Sequence, residues 1–132
     1  MALDIFNTFA TDTAAEVEGV EIEFSGTNFL IARAGNPKYS RMLSKLVDKN
    51  QKALNLKNEA ADALSDKILI DVIATTILLG WDDLTFKSEN LPYSLENAKM
   101  ILGFKDFRRE IARMSEDVDN YKVVKEDEEA KN

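Results

Sequence analysis

Neither cysteine nor histidine occurs anywhere in the 132 residues. Without cysteine there can be no disulfide and no thiolate metal ligand, a usage that suits a reducing cytoplasm. Without histidine the commonest zinc ligand, the Ser/His/Asp and Cys/His nucleophile systems, and the side chain that titrates nearest neutrality are all missing. The sequence also lacks a glycine-rich phosphate loop, a GxSxG elbow, an HExxH pair and a calcium loop. Most enzyme classes are thereby disfavoured, and the reading is of a protein with no catalytic activity, no cofactor and no metal. Long apolar runs are missing as well. The longest, Ile68 to Leu79, is interrupted by Asp71, Thr75 and Thr76 and falls short of the roughly 20 residues that span a bilayer. The opening MALDIFNTFATDT has neither the basic residue nor the apolar stretch of a secretory signal or anchor, so a soluble protein with no membrane association is expected.

Charge of one sign is missing at the beginning. Residues 1 to 32 carry six acids and no Lys or Arg, residues 33 to 67 carry eight basic and four acidic groups, and the net charge of the whole chain is -7. An acidic balance disfavours nucleic-acid binding. A basic middle between acidic ends could pair head to tail with another copy, although charged faces more often serve only to keep a protein in solution. The acid pairs Asp82-Asp83 and Asp117-Asp119 have no third or fourth ligand beside them, so they read as loop or cap residues rather than a cation site.

What is present is organised. The length fits one domain, placed at residues 17 to 121, with an N-terminal arm or loop over 1 to 16 and a disordered acidic tail over 122 to 132. Val20, Ile22 and Phe24 alternate with Glu21 and Glu23, the pattern of a half-buried strand. Ser25 to Asn28 supply turn residues and Phe29 to Ala32 return to strand character, which predicts a hairpin. Asn36 is placed to cap a helix with Pro37 at its first position. Apolar residues from Tyr39 to Leu54 then recur at helical spacing. A second helix is predicted from about Asn58 to Leu79, apolar nearly all round at its end and stopped by Gly80. Residues 81 to 93 read as an ordered loop. Ser94 caps a short helix, Leu95 to Leu102, ended by Gly103. A last helix presents Phe104, Phe107, Ile111, Met114 and Val118 on one face. The fold class is therefore α+β, mainly α-helical, with an N-terminal β-hairpin packed on a helical bundle.

Large apolar residues crowd the loop after the second helix: Trp81, Leu84, Phe86, Leu91 and Tyr93. Such residues usually fold back over the core, but aromatics also dominate interface hot spots. Trp81, Leu84, Phe86, Tyr93 and Phe107 are the candidate partner contacts, because this many apolar stripes exceed what one small monomer readily buries. Arg33 reads as a structural or self-association residue beside the hairpin.

Two stretches resemble a known family. Phe29 to Tyr39, FLIARAGNPKY, is similar to the strand-to-helix junction of the tail assembly chaperones of long-tailed, siphovirus-type bacteriophages. Trp81 to Leu102, WDDLTFKSENLPYSLENAKMIL, resembles the second hallmark of that family. In it a tryptophan ends the long apolar helix, a Pro-aromatic-Ser step follows (here Pro92-Tyr93-Ser94), and a short helix carries a Glu-Asn pair (here Glu96-Asn97). The resemblance covers residues 9 to 121. It departs from the family pattern at Ser88-Glu89-Asn90, where a glycine is frequent; Asn tolerates the left-handed conformation that glycine would supply. The resemblance implies a protein that coats the helical tape-measure protein, keeps it soluble and helps recruit tail-tube subunits, while the excess of apolar stripes points to self-association or a helical client. It would act in the host cytoplasm and be absent from the mature virion. The family also implies a longer form made by frameshifting near the acidic tail. Another class of function, an acidic phage inhibitor or DNA mimic that blocks a nucleic-acid-binding host protein, is motivated by the charge but opposed by the basic centre. A carboxylate-based hydrolase ranks far lower, since no spacing singles out two acids.

Overall fold

In a computed structural model that describes residues 1 to 123, the alternating segment forms β1 (Val20–Phe24) and pairs antiparallel with β2 (Thr27–Ile31). Val20 faces Ile31, Ile22 faces Phe29 and Phe24 faces Thr27. Ser25 and Gly26 both take positive φ, 51° and 87°, the geometry that lets a two-residue turn follow the strand twist. Thr27, Phe29 and Ile31 of β2 are buried, whereas β1 lies at the sheet edge with Glu21 and Glu23 exposed. Charge on an edge strand discourages further pairing.

The junction that follows is stitched to three other parts of the chain. Ala32 N–H donates to Ile77 O, Arg33 N–H to Glu16 O and Ala34 N–H to Ser115 O. Asn36 is 4% exposed; its Oδ1 accepts from the N–H groups of Lys38 and Tyr39 at 3.0 and 3.1 Å, while its Nδ2 donates to Arg33 O at 2.8 Å and Thr76 O at 3.3 Å. The cap therefore starts α1 (Pro37–Lys49) and also ties it to the end of the long helix. The predicted helix breaks at Asn50, whose N–H and side chain both turn back to Leu46 O, and resumes as the short α2 (Gln51–Leu54).

The central helix, α3 (Glu59–Thr76), is capped by Asn58, and it buries Ile68, Val72, Ile73 and Ala74. It stops earlier than its apolar pattern predicts. Thr76 Oγ1 bonds back to Val72 O at 2.7 Å, and the chain then forms a strand, β3 (Leu78–Trp81), against the free edge of β2. Phe29 pairs with Trp81, Leu30 with Gly80 and Ile31 with Leu78, with a bulge between Leu30 and Ile31. Gly80 is thus a strand residue, not a helix stop. The correction has a clear cause: Ile77, Leu78 and Leu79 are apolar all round, and periodicity cannot separate a buried strand from a buried helix. The sheet order is β1-β2-β3.

Two more helices close the core. α4 (Leu95–Leu102) begins at the Ser94 cap and is followed by α5 (Lys105–Glu116). Phe29, Ile31, Ile73, Ile77, Leu78, Leu102, Ile111 and Met114 form one buried cluster. A single 3-10 turn, Val118–Tyr121, carries Tyr121 into the interior, where its hydroxyl donates to Ile31 O at 3.0 Å. Burial pushes the Tyr121 hydroxyl above the ordinary tyrosine range.

The amino-terminal residues, expected as an arm or loop, hold two short helices, Ile5–Phe9 and Thr13–Glu18, N-capped by Asp4 and Asp12. Thr11 bridges to Lys122, Asp12 N–H donates to Tyr121 O and Val123 N–H to Ala10 O. Most of the predicted acidic tail, residues 124 to 132, lies outside the described residues. Among the described residues, no helix is long and apolar enough to cross a membrane.

Candidate partner-binding surface

After β3 the chain makes a second, smaller hairpin, β4 (Thr85–Phe86) with β5 (Glu89–Asn90). Its turn residues Lys87 and Ser88 take φ of 52° and 67°. The left-handed conformation therefore falls on Lys87 and Ser88, with Asn90 in the strand. Several side chains fix this hairpin to the fold. Trp81 Nε1–H donates to Leu91 O at 2.8 Å, Asp82 Oδ1 accepts from Asn28 N–H at 2.9 Å, and Thr27 Oγ1–H donates to Asp83 O at 3.1 Å. The Pro-aromatic-Ser step is latched by Asn97, whose Nδ2 donates to Pro92 O at 2.9 Å and whose N–H donates to Ser94 Oγ at 3.0 Å. Asp82 thus holds a backbone amide, and Asp117 caps the 3-10 turn. Among the described residues no group of three or more acids is placed to hold a metal ion.

The candidate contacts divide into two sets. Trp81, Leu84 and Phe107 pack against the core cluster, and Phe107 lies 5.8 Å from the Phe29 ring. Phe86 and Tyr93 face outward in part. Tyr93 is 40% exposed and meets Trp81 edge to face at 5.0 Å; Phe86 meets Phe104 at 5.9 Å, with Lys87 Nζ 5.7 Å above its ring. Phe104 is 54% exposed, and Met100 and Leu95 of α4 are exposed nearby in sequence. Sequence reasoning placed Phe104 on the core face of the last helix. It is instead the cap residue, with extended φ and ψ of -75° and 110°, so helical periodicity does not govern where its ring points. The signal that could have found it was Gly103, which ends α4 and frees the next residue from both helices.

A separate hollow of about 250 Å³ lies where α1, α3 and α5 converge. Leu69, Ile73 and Ile77 line it with Tyr39 and Ala112, and Arg108 and Arg109 stand at its edge. Arg108 is held, donating to Leu102 O at 3.0 Å, whereas Arg109 is largely exposed. Arg33 is paired to Glu16 at 2.8 Å, and Thr11 Oγ1–H donates to the same carboxylate. It acts as a brace between the amino-terminal segment and the junction.

A family model described as "YdaY prophage protein" matches residues 34 to 132. No curated protein matches the chain, and no solved structure does.

Proposed function

The chain belongs to the YdaY prophage protein family, and on that premise we propose that it is a phage tail assembly chaperone, a non-enzymatic protein that binds and solubilises the tape-measure protein and helps recruit tail-tube subunits. A prophage origin agrees with the phage character of the tail assembly chaperones that its junction and its Trp81 to Leu102 segment resemble. The observation that carries the reading is the run of exposed apolar residues from Tyr93 to Phe104, namely Tyr93, Leu95, Met100 and Phe104, with Phe86 of the small hairpin packed against Phe104. Large aromatics held rigid lose little entropy on binding and make effective anchors for the apolar stripe of a helix. A long helical client aggregates through such stripes unless they are covered, and many copies of an acidic protein, assembled side by side, would cover them while adding repulsive charge. The work is done in the host cytoplasm, and the chaperone is absent from the finished virion.

The inhibitor reading has less support, because several acids already serve the fold. Asp12 and Asp117 cap helices, Asp82 holds Asn28 and Glu16 braces Arg33. Co-expression with the tape-measure protein of the same phage tests the proposal. The client should become soluble and co-purify with the wild-type chain, and Phe104→Asp together with Tyr93→Asp should abolish both effects without unfolding the chaperone. An insoluble client in the presence of wild type would reject the reading.

A further inference from the structure

Every cation on α1 lies on one strip of its surface. Lys38, Arg41, Lys45 and Lys49 follow one another at steps of three and four, Lys52 on α2 continues the series, and all of them are exposed. Such steps stack side chains on one helix face. Asp48 is the single acid between Pro37 and Leu54. Among the described residues the ion pairs use Arg33, Lys99, Arg108, Arg109, Arg113 and Lys122 instead, so no ion pair within the fold neutralises the strip.

The three-stranded sheet offers the opposite charge. Its inner face carries Phe29, Ile31 and Leu78 into the core. On the outer face the register sets Glu21 beside Leu30 and Gly80, and Glu23 beside Asn28, whose N–H donates to Asp82. Glu23 also accepts from Gly26 N–H; neither bond to an amide removes a carboxylate charge. No Lys or Arg occurs in β1, β2 or β3. Glu21, Asn28, Leu30, Gly80 and Asp82 line a hollow of about 190 Å³, with Trp81 at its side, so this face is open.

We propose that α1 of one copy lies across the outer sheet face of a second copy, its cations meeting Glu21, Glu23 and Asp82. Charge identifies the occupant from both sides, since strip and sheet face belong to one chain and, among the described residues, neither is ion-paired in its own fold. Dimensions agree. From Lys38 to Lys49 a helix rises about 16 Å, at about 1.5 Å per residue, and a five-residue strand runs about 17 Å, at about 3.4 Å per residue. Cations four residues apart stand about 6 Å apart along the axis, close to the roughly 7 Å between alternate residues such as Glu21 and Glu23 on one strand face. Lysine stems would cover Leu30 and Gly80 while their heads reach the carboxylates. A nucleic acid also answers to a strip of cations, but the net charge of -7 opposes it. Strip and sheet face are different patches, so the contact is heterologous and either closes into a ring or propagates from copy to copy. A helix on three short strands buries less than a standard interface, and exposed ion pairs are individually weak, so association depends on concentration and salt. Side chains make the contact, which leaves the backbone edge of β1 unpaired. This deepens the shielding reading and rests on it for its purpose: copies joined in this way would line up along a client.

The test uses the full chain without client. Light scattering at about 20 mM salt should show the mass rising from micromolar to millimolar concentration, and about 1 M salt, where the Debye length falls to about 3 Å, should return the monomer. Arg41→Glu with Lys45→Glu, and separately Glu21→Lys with Glu23→Lys, should each weaken association about tenfold with unchanged circular dichroism. The chain carrying all of these changes should associate again, because both surfaces are reversed together. A second measurement alters no residue. Carbodiimide coupling of mixed isotopically light and heavy copies should join a lysine of the strip to Glu21 or Glu23 between a light chain and a heavy one. A monomeric wild type throughout, association indifferent to salt, a folded combined variant that stays dissociated, or coupling confined within one chain would overturn the proposal. So would a DNA gel shift that Arg41→Glu with Lys45→Glu abolishes while the mass stays constant, since it assigns the strip to nucleic acid. Because no client is present, each of these results leaves capture of the tape-measure protein to be judged on its own experiment.

Discussion

Replacing Asn36 with alanine removes an acceptor for two helix N–H groups and a donor to two carbonyls at once. The acceptor half is an ordinary cap loss of about 1 kcal/mol. The donor half leaves Thr76 O at the end of α3 without the Asn36 amide, in a site where Asn36 is only 4% exposed; an unsatisfied buried group costs about 1 to 3 kcal/mol. Arg33 O retains the Asn36 backbone N–H at 3.2 Å, so it adds little. The sum is about 2 to 4 kcal/mol. Urea unfolding followed by circular dichroism would read this as a lower midpoint at unchanged slope. Asn36→Ser separates the two halves, since it keeps a cap acceptor and loses both bonds that Nδ2 donates, without setting a carboxylate oxygen against two buried carbonyls. It should therefore fall between wild type and alanine. A loss below about 0.5 kcal/mol for Asn36→Ala, against the usual value for caps, would refute the claim that this side chain ties the two helices.

Three further outcomes follow from the same geometry. Because the folded-state pKa of Tyr121 lies above its unfolded value, its contribution is intact below about pH 10 and is lost as pH rises beyond that, by up to about 1.4 kcal/mol per pH unit. Tyr121→Phe should remove that alkaline loss and lower stability near neutrality by about 1 kcal/mol through the missing bond to Ile31 O, both measurable by thermal unfolding at pH 7 and above pH 10. Ser88→Gly relieves a left-handed φ of 67° and should stabilise the β4–β5 hairpin by about 0.5 to 1 kcal/mol, seen as a higher melting temperature. Phe104→Ser, by contrast, should leave the melting temperature within about 2 °C of wild type while weakening client binding, because its ring is more exposed than buried.

The hairpin, the Asn36-Pro37 start and the Ser94 to Gly103 helix were legible in the sequence because each is set by near neighbours: alternation, a cap, a stop. β3 was not, because its hydrogen-bond partners on β2 are about 50 residues away and its own residues suit either period. The amino-terminal helices escaped notice for a similar reason. Each is a turn or two held by one aspartate cap and by pairing with Lys122 and Val123. At the surface, sequence reasoning could not separate Trp81, Leu84 and Phe107, which pack on the core cluster, from Phe86, which packs on Phe104, and Tyr93, which is exposed. That division is decided by the Trp81–Leu91 bond and the β4–β5 turn, neither of which leaves a periodic trace. Tyr121 was taken as the domain's last residue; the structure makes it one of the largest side chains buried in the core.

Amide hydrogen exchange on the chain, with and without the tape-measure protein proposed as its client, tests the proposed contact segment most directly. The account predicts slowed exchange concentrated from Thr85 to Phe104, with the Glu21 to Glu23 edge unchanged. Protection confined to other segments, or none at all in a complex that demonstrably forms, would contradict it.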